Sequence, residues 1–214
     1  MKGDNHIVKK MAEIGLVPGK TFDLTKLSNK IQHALNPVPK LAYKKIKSFE
    51  SKSGKIENGW VIANTAGNYG TDYLRRAFIA AYGWPGNLPK DAVYSFATVD
   101  STGKKLSGTN NYTIHFAKDQ TPPVKAFWSI TMYDSEYFFV QNPLNKFTLS
   151  PRDPLVYNAD DGSLDLYFQH DAPEESKRAN WLPSPQGSFV LMLRMYWPQI
   201  QNSSWSIPSV KKLD

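Results

Sequence analysis

From Ala92 onward the chain is written in short β-branched or aromatic runs separated by polar turns, and this pattern restricts it to a mainly β fold. The runs are Ala92 to Val99, Tyr112 to Phe116, Ala126 to Tyr133, Tyr137 to Gln141, Ser163 to His170 and Ser188 to Trp197. Their connections carry turn chemistry at Asp100-Ser101-Thr102-Gly103, Asp119 to Pro123, Asp160-Asp161-Gly162 and Pro183 to Gly187. Six or more short strands with such turns predict a β-sandwich or jelly roll. No fixed-period repeat is visible, which argues against propellers and solenoids.

The first 50 residues follow a different period. Ile7, Val8, Met11 and Ile14 fall at helical spacing, and Gly15 followed by Pro18 predicts a stop. Leu24, Leu27, Ile31 and Leu35 predict a second helix, broken by Pro37 and Pro39. A third is expected over Leu41 to Phe49, with Leu41, Ala42, Ile46 and Phe49 as its apolar residues. The polar stretch Ser51 to Lys55 reads as a hinge and divides a helical segment, 1–55, from a β domain, 56–214. Inside the second part, after Gly59-Trp60-Val61-Ile62 and a loop from Thr65 to Gly70, Thr71 to Tyr82 is expected as one more amphipathic helix. Thr71 would be its N-cap and Asp72 would pair with Arg76.

Composition bounds the function classes. At 214 residues, 41% hydrophobic, the chain can bury one sizeable core but is too short for two ordinary domains. It has no run long enough for a membrane helix, and its first residues lack a signal-peptide core, so a soluble chain without an export signal is expected. With no cysteine there is no disulfide framework, thiolate zinc site or thiol nucleophile. The net charge of +7 is uneven: residues 1–56 hold 12 lysines and 4 acids, leaving +8, while residues 57–214 balance to −1. Lysines spread along helices, as at Lys40, Lys44, Lys45 and Lys47, read as a solvated face rather than a nucleic-acid site. There is no P-loop, dinucleotide fingerprint, His-Glu-x-x-His or Gly-x-Ser-x-Gly.

Candidate site residues follow from strand alternation and loop position. Leu164, Leu166, Phe168 and His170 share the inward face of one strand, with Asp171, Glu174 and Glu175 just beyond. An acid–base or metal cluster can be drawn there, although a strand-end histidine bonded to a neighbouring loop is commoner, and the same holds for His115. A two-histidine metal centre would need His115 and His170 to converge, and no metal or cofactor is expected on present grounds. Asp134 and Glu136 are two turn carboxylates of the type that a glycan hydrolase would use only at a defined separation. In the last long strand, Val190, Met192, Arg194 and Tyr196 share one face, while Phe189, Leu191, Leu193, Met195 and Trp197 form the core face. Arg194 beside Tyr196 either meets an anionic or sugar ligand or pairs with an acid of the sheet. Trp84 and Trp181, read as loop tryptophans, are further ligand-binding candidates.

Four stretches give the chain a familiar look: Asn68 to Arg76, Pro122 to Asp134, Arg152-Asp153-Pro154-Leu155 and Asn180-Trp181-Leu182-Pro183. In this order they resemble the bacterial family known as domain of unknown function 1214, over nearly the whole chain. Ile14-Gly15-Leu16-Val17-Pro18-Gly19 resembles the helical connector that precedes it. The resemblance implies a jelly-roll sandwich after a helical connector, and a preceding 1254 half that this chain lacks. It further suggests a periplasmic or extracellular home and brings no catalytic residues.

Three functions follow as expectations. The first is a binding or accessory module that recognises a carbohydrate-like or small polar ligand through Trp84, Trp181, Arg194 and Tyr196. The second is a hydrolase that uses Asp134, Glu136, His170 and Asp171, so whether the chain is an enzyme stays open. The third is an interaction domain in which residues 1–50 dock onto a second copy or onto the 1254 half.

Overall fold

The computed structural model of the chain describes residues 3–63, 66–82, 86–200 and 203–213; the Ser51 side chain is not included. Two compact units emerge, Met1–Lys52 with Asn68–Gly86, and Ser53–Gly67 with Asn87–Asp214.

The first unit is helical. Helix α1 (Asn5–Glu13) ends where Gly15 takes φ +80°, a left-handed conformation that glycine adopts without a Cβ clash. The segment expected as one helix from Leu24 to Leu35 is a single 3-10 turn at Leu24–Lys26 and then α2 (Asn29–Leu35), because the Asp23 carboxylate accepts from Thr25 N–H and Ser28 is extended. As expected, α2 ends at Leu35, short of Pro37 and Pro39, but α3 (Val38–Lys47) starts at Val38 rather than Leu41, with Pro39 in its first turn. In the first turn the missing proline N–H is one of the donors that would lack a helical partner anyway. Helix α4 (Tyr73–Tyr82) is capped by Asp72, whose carboxylate accepts from Arg75 N–H at 3.1 Å. Asp72 also pairs with Arg75, at 3.2 Å, whereas Arg76 reaches Asp4. Phe78 joins Phe49 and Tyr82 in an aromatic contact, with centroids 5.6 and 5.2 Å away.

The second unit is mainly β, with two sheets. Strands β1 (Lys55–Glu57) and β2 (Trp60–Ala63) form a hairpin over Asn58-Gly59, both at positive φ, as a tight turn between right-twisted strands requires. They lead into β3 (Ala92–Ala97), β4 (Tyr112–Phe116), β5 (Trp128–Asp134), β6 (Thr148–Leu149), β7 (Leu164–Gln169), β8 (Trp181–Pro183), β9 (Phe189–Tyr196) and β10 (Lys211–Lys212). The larger sheet runs β1-β2-β3-β9-β5-β6, antiparallel throughout. The smaller runs β10-β4-β7-β8, with β7 and β8 parallel.

Both sheets feed one core. Val93, Ile130, Leu191 and Leu193 come from the larger sheet, and Ile114, Leu166, Phe168 and Leu182 from the smaller, all essentially sealed from solvent. Alternation along β9 puts Phe189, Leu191, Leu193 and Met195 inward as expected. Trp197 departs from it: at φ +54° the backbone leaves the pleat, and the indole is 57% exposed beneath the Lys125 ammonium rather than in the core. Tyr137 to Gln141, expected as a strand, is a loop with a single bridge, Tyr133 to Phe139. Asp134 accepts from the N–H groups of Glu136 and Phe138 and closes a turn there. Among the described residues no helix is long and apolar enough to cross a membrane.

Candidate functional site

Register across the larger sheet builds the site. Tyr94 on β3, Arg194 on β9 and Ser129 on β5 are successive Cα partners, so their side chains stand on the same face, away from the core. One step along, Thr131 of β5 pairs with Thr148 of β6 and extends that face. The result is a groove of about 460 Å³ lined by Ser129, Thr131, Thr148, Ser150 and Arg194, and by Phe127, Phe139, Phe147, Arg152 and Tyr196.

Two aromatic groups flank it. On one side the Arg152 guanidinium lies 4.8 Å over the Phe127 ring, which stacks on Tyr196 at 4.5 Å and 20°. On the other, Tyr133 stacks on Phe139 at 5.3 Å and 14°, and Phe139 meets Phe147 at 5.3 Å. Between them, Arg194 Nη1 donates to Thr131 Oγ1 at 2.5 Å and Nη2 donates to the Tyr133 hydroxyl. Neither Arg152 nor Arg194 forms an ion pair among the described residues, and no carboxylate lines the groove. Burial raises the Tyr94 hydroxyl above the usual phenol range, reinforced by Tyr196 and opposed by the Asn87 hydrogen bond and by the Arg194 charge.

Of the residues singled out from sequence, Arg194 and Tyr196 meet in this groove. Trp181 does not: it belongs to β8, is 7% exposed, and its indole N–H donates to Gln169 O at 2.9 Å. Trp84 lies outside the described residues. The exposed His170 has Nδ1 2.9 Å from Ser184 O, and Asp171 beside it is exposed. Both follow β7 of the smaller sheet, whereas Asp134 and Glu136 stand at the end of β5 of the larger. No hydrogen bond or ion pair links the two groups among the described residues. His115 is paired across strands with Asp165, Nδ1 to Oδ1 2.8 Å. Among the described residues no three His, Asp or Glu side chains are grouped to hold a metal ion.

Sequence reading missed Phe127, Ser129, Thr131, Phe139, Phe147, Thr148, Ser150 and Arg152. A signal for two of them was present: alternation along β5 separates Trp128, Ile130 and Met132 from Ser129, Thr131 and Tyr133, a polar stripe beside a core stripe.

The fold and the groove define a mainly β protein with two sheets and a cation-bearing outer face on the larger one. The chain belongs to the family described as protein of unknown function (DUF1214), whose model matches residues 91–200, just over half of its length. Every residue lining the groove lies within that match. Among solved structures, the VPA0106 protein from Vibrio parahaemolyticus is 24% identical with a TM-score of 0.57, over 100% of this chain and 52% of that one. An uncharacterised protein from Burkholderia cenocepacia is 11% identical with a TM-score of 0.43, over 98% of this chain and 48% of that one. The chain thus spans about half the length of these structures, and the Vibrio likeness shows the fold. No curated protein matches the chain.

Proposed function

We propose that this chain is a ligand-binding or accessory module, a jelly-roll-like sandwich whose larger sheet takes a small polar, negatively charged ligand in the Arg194 groove. The observation that carries this reading is a pair of guanidiniums lining one groove with no carboxylate to neutralise them. A buried or half-buried guanidinium held by neutral hydroxyls keeps its full charge for an incoming anion, and such charge-assisted bonds are among the stronger ones available to a protein. The groove's size falls in the range of small-molecule sites.

A thermal-shift screen of the purified chain against glycans, divalent metals and small polar metabolites tests this, because a ligand that binds only the folded state raises the melting temperature. Anionic compounds should raise it, and Arg194→Ala should abolish the rise while the variant still melts cooperatively. A shift produced only by metals or neutral compounds would overturn the reading.

A second reading has its own support. No residue of α1, α2 or α3 is buried, and Val8, Met11 and Phe22 line an open apolar hollow of about 220 Å³. We propose residues 1–50 as a protein-docking segment, for a second copy or for another domain. A carboxylate-based hydrolase carries no comparable observation.

A further inference from the structure

Resting on the anion-binding reading of the Arg194 groove, we infer that Tyr133 is the positioning residue of that site. It does not line the groove, and its hydroxyl orders the Arg194 guanidinium before any ligand arrives. Arg194 stands opposite Ser129 in the ladder, yet its terminal nitrogens bond to Thr131, two residues along β5, and to Tyr133, four residues along. The guanidinium therefore lies along the outer face of β5 instead of standing straight off its own strand. One bond would let this planar group pivot. Two bonds on different nitrogens fix both its reach and its rotation, and leave the Nε–H and one N–H of each terminal nitrogen for an anion.

Tyr133 is itself braced. It is 9% exposed, packed with Phe96 and Val190, and its ring stacks on Phe139 at 5.3 Å and 14°. Arg194 Cζ lies 5.5 Å from the centroid of the same ring, so the ring face attracts the charge that the hydroxyl orients. Ordering a long cationic side chain on a ligand costs rotamer freedom, and a guanidinium held beforehand binds without that loss. A carboxylate would hold it as firmly but neutralise it, whereas a phenol leaves the charge whole. Thr131 lines the groove and can touch the ligand directly; Tyr133 acts through Arg194.

The test titrates the full chain calorimetrically with inorganic phosphate, benzoate and citrate, and follows the Arg194 side-chain nitrogens by NMR, assigned with Arg194→Gln. Tyr133→Phe keeps the ring and its stack on Phe139 and removes only the hydroxyl, so the melting temperature should hold. It should weaken every probe that the unaltered chain binds by about tenfold, as loss of a hydrogen bond to a charged group does. The two Arg194 Nη signals, separate while both hydroxyls hold them, should merge as the group begins to rotate. A tyrosine that merely supported the fold would leave those signals apart. Unchanged affinity would overturn the inference and leave the anion-binding module standing, and so would weaker binding with the two signals still separate. Signals already merged in the unaltered chain would overturn it as well. If none of the three probes bound the unaltered chain, the anion-binding reading would fall and the inference with it.

Discussion

Asn180 does at the scale of one residue what no strand does: its amide donates to Val156 O at 2.7 Å and Asp165 O at 2.9 Å, and its oxygen accepts from Val156 N–H at 2.8 Å. Removing it leaves backbone groups without partners at a site 5% exposed. Asn180→Ala should therefore cost about 2–4 kcal/mol in urea melts, and a loss under about 0.5 kcal/mol would show that water substitutes freely. Asp100 makes a pH prediction. Burial pushes its carboxyl up, but the hydrogen bonds from Thr102 N–H, Thr102 Oγ1 and Lys104 N–H outweigh that and hold it below the usual carboxylate range. A group depressed in the folded state contributes stability at neutral pH that is lost as pH falls through its folded value. Asp100→Asn should flatten the acid limb of the stability curve, and an unchanged limb would place the sensitivity elsewhere. Neither role is legible from residue type alone: the Asp100 turn was expected, but its burial depends on strands far away in sequence.

Among elements, strand periodicity was the reliable guide. The inward sets of β7 and β9 follow from alternation because a pleated strand must send successive side chains to opposite faces. Alternation fails where the backbone leaves the pleat, at Trp197 and at Tyr137, both of positive φ, and apolar runs do not register that change. Pro37 and Pro39 separate α2 from α3 as expected, but α3 begins before Leu41, since Pro39 is disruptive in a helix interior and harmless in a first turn. Close backbone approach is likewise invisible in sequence. A Cβ at Gly108 would collide with the carbonyl oxygen of Pro185, where the 107–108 segment meets the chain entering β9. Gly108→Ala should lower stability by about 1–3 kcal/mol through backbone displacement, measurable by thermal or urea unfolding, and a neutral result would mean that the loop before β9 yields.

Across the whole molecule, charge and exposure divide along the chain. The lysine-rich first 56 residues carry helices without buried residues, and the nearly neutral remainder carries the two-sheet core and the groove. If residues 1–50 dock onto a second copy, light scattering on the full chain should show self-association that rises with concentration and that Met11→Glu abolishes. A monomer at every concentration would exclude the second copy. The sequence by itself determined the mainly β class, the place of the principal strands along the chain and the core face of β9, because period and turn chemistry are local properties of the backbone, and its motifs carried the family. Tertiary structure alone decided which polar side chains meet. Arg194 was expected either to find an acid or to await a ligand. The pairing of β9 with β5 gives it the hydroxyls of Thr131 and Tyr133 and no acid, and strand order is a non-local outcome of burying two sheet faces at once.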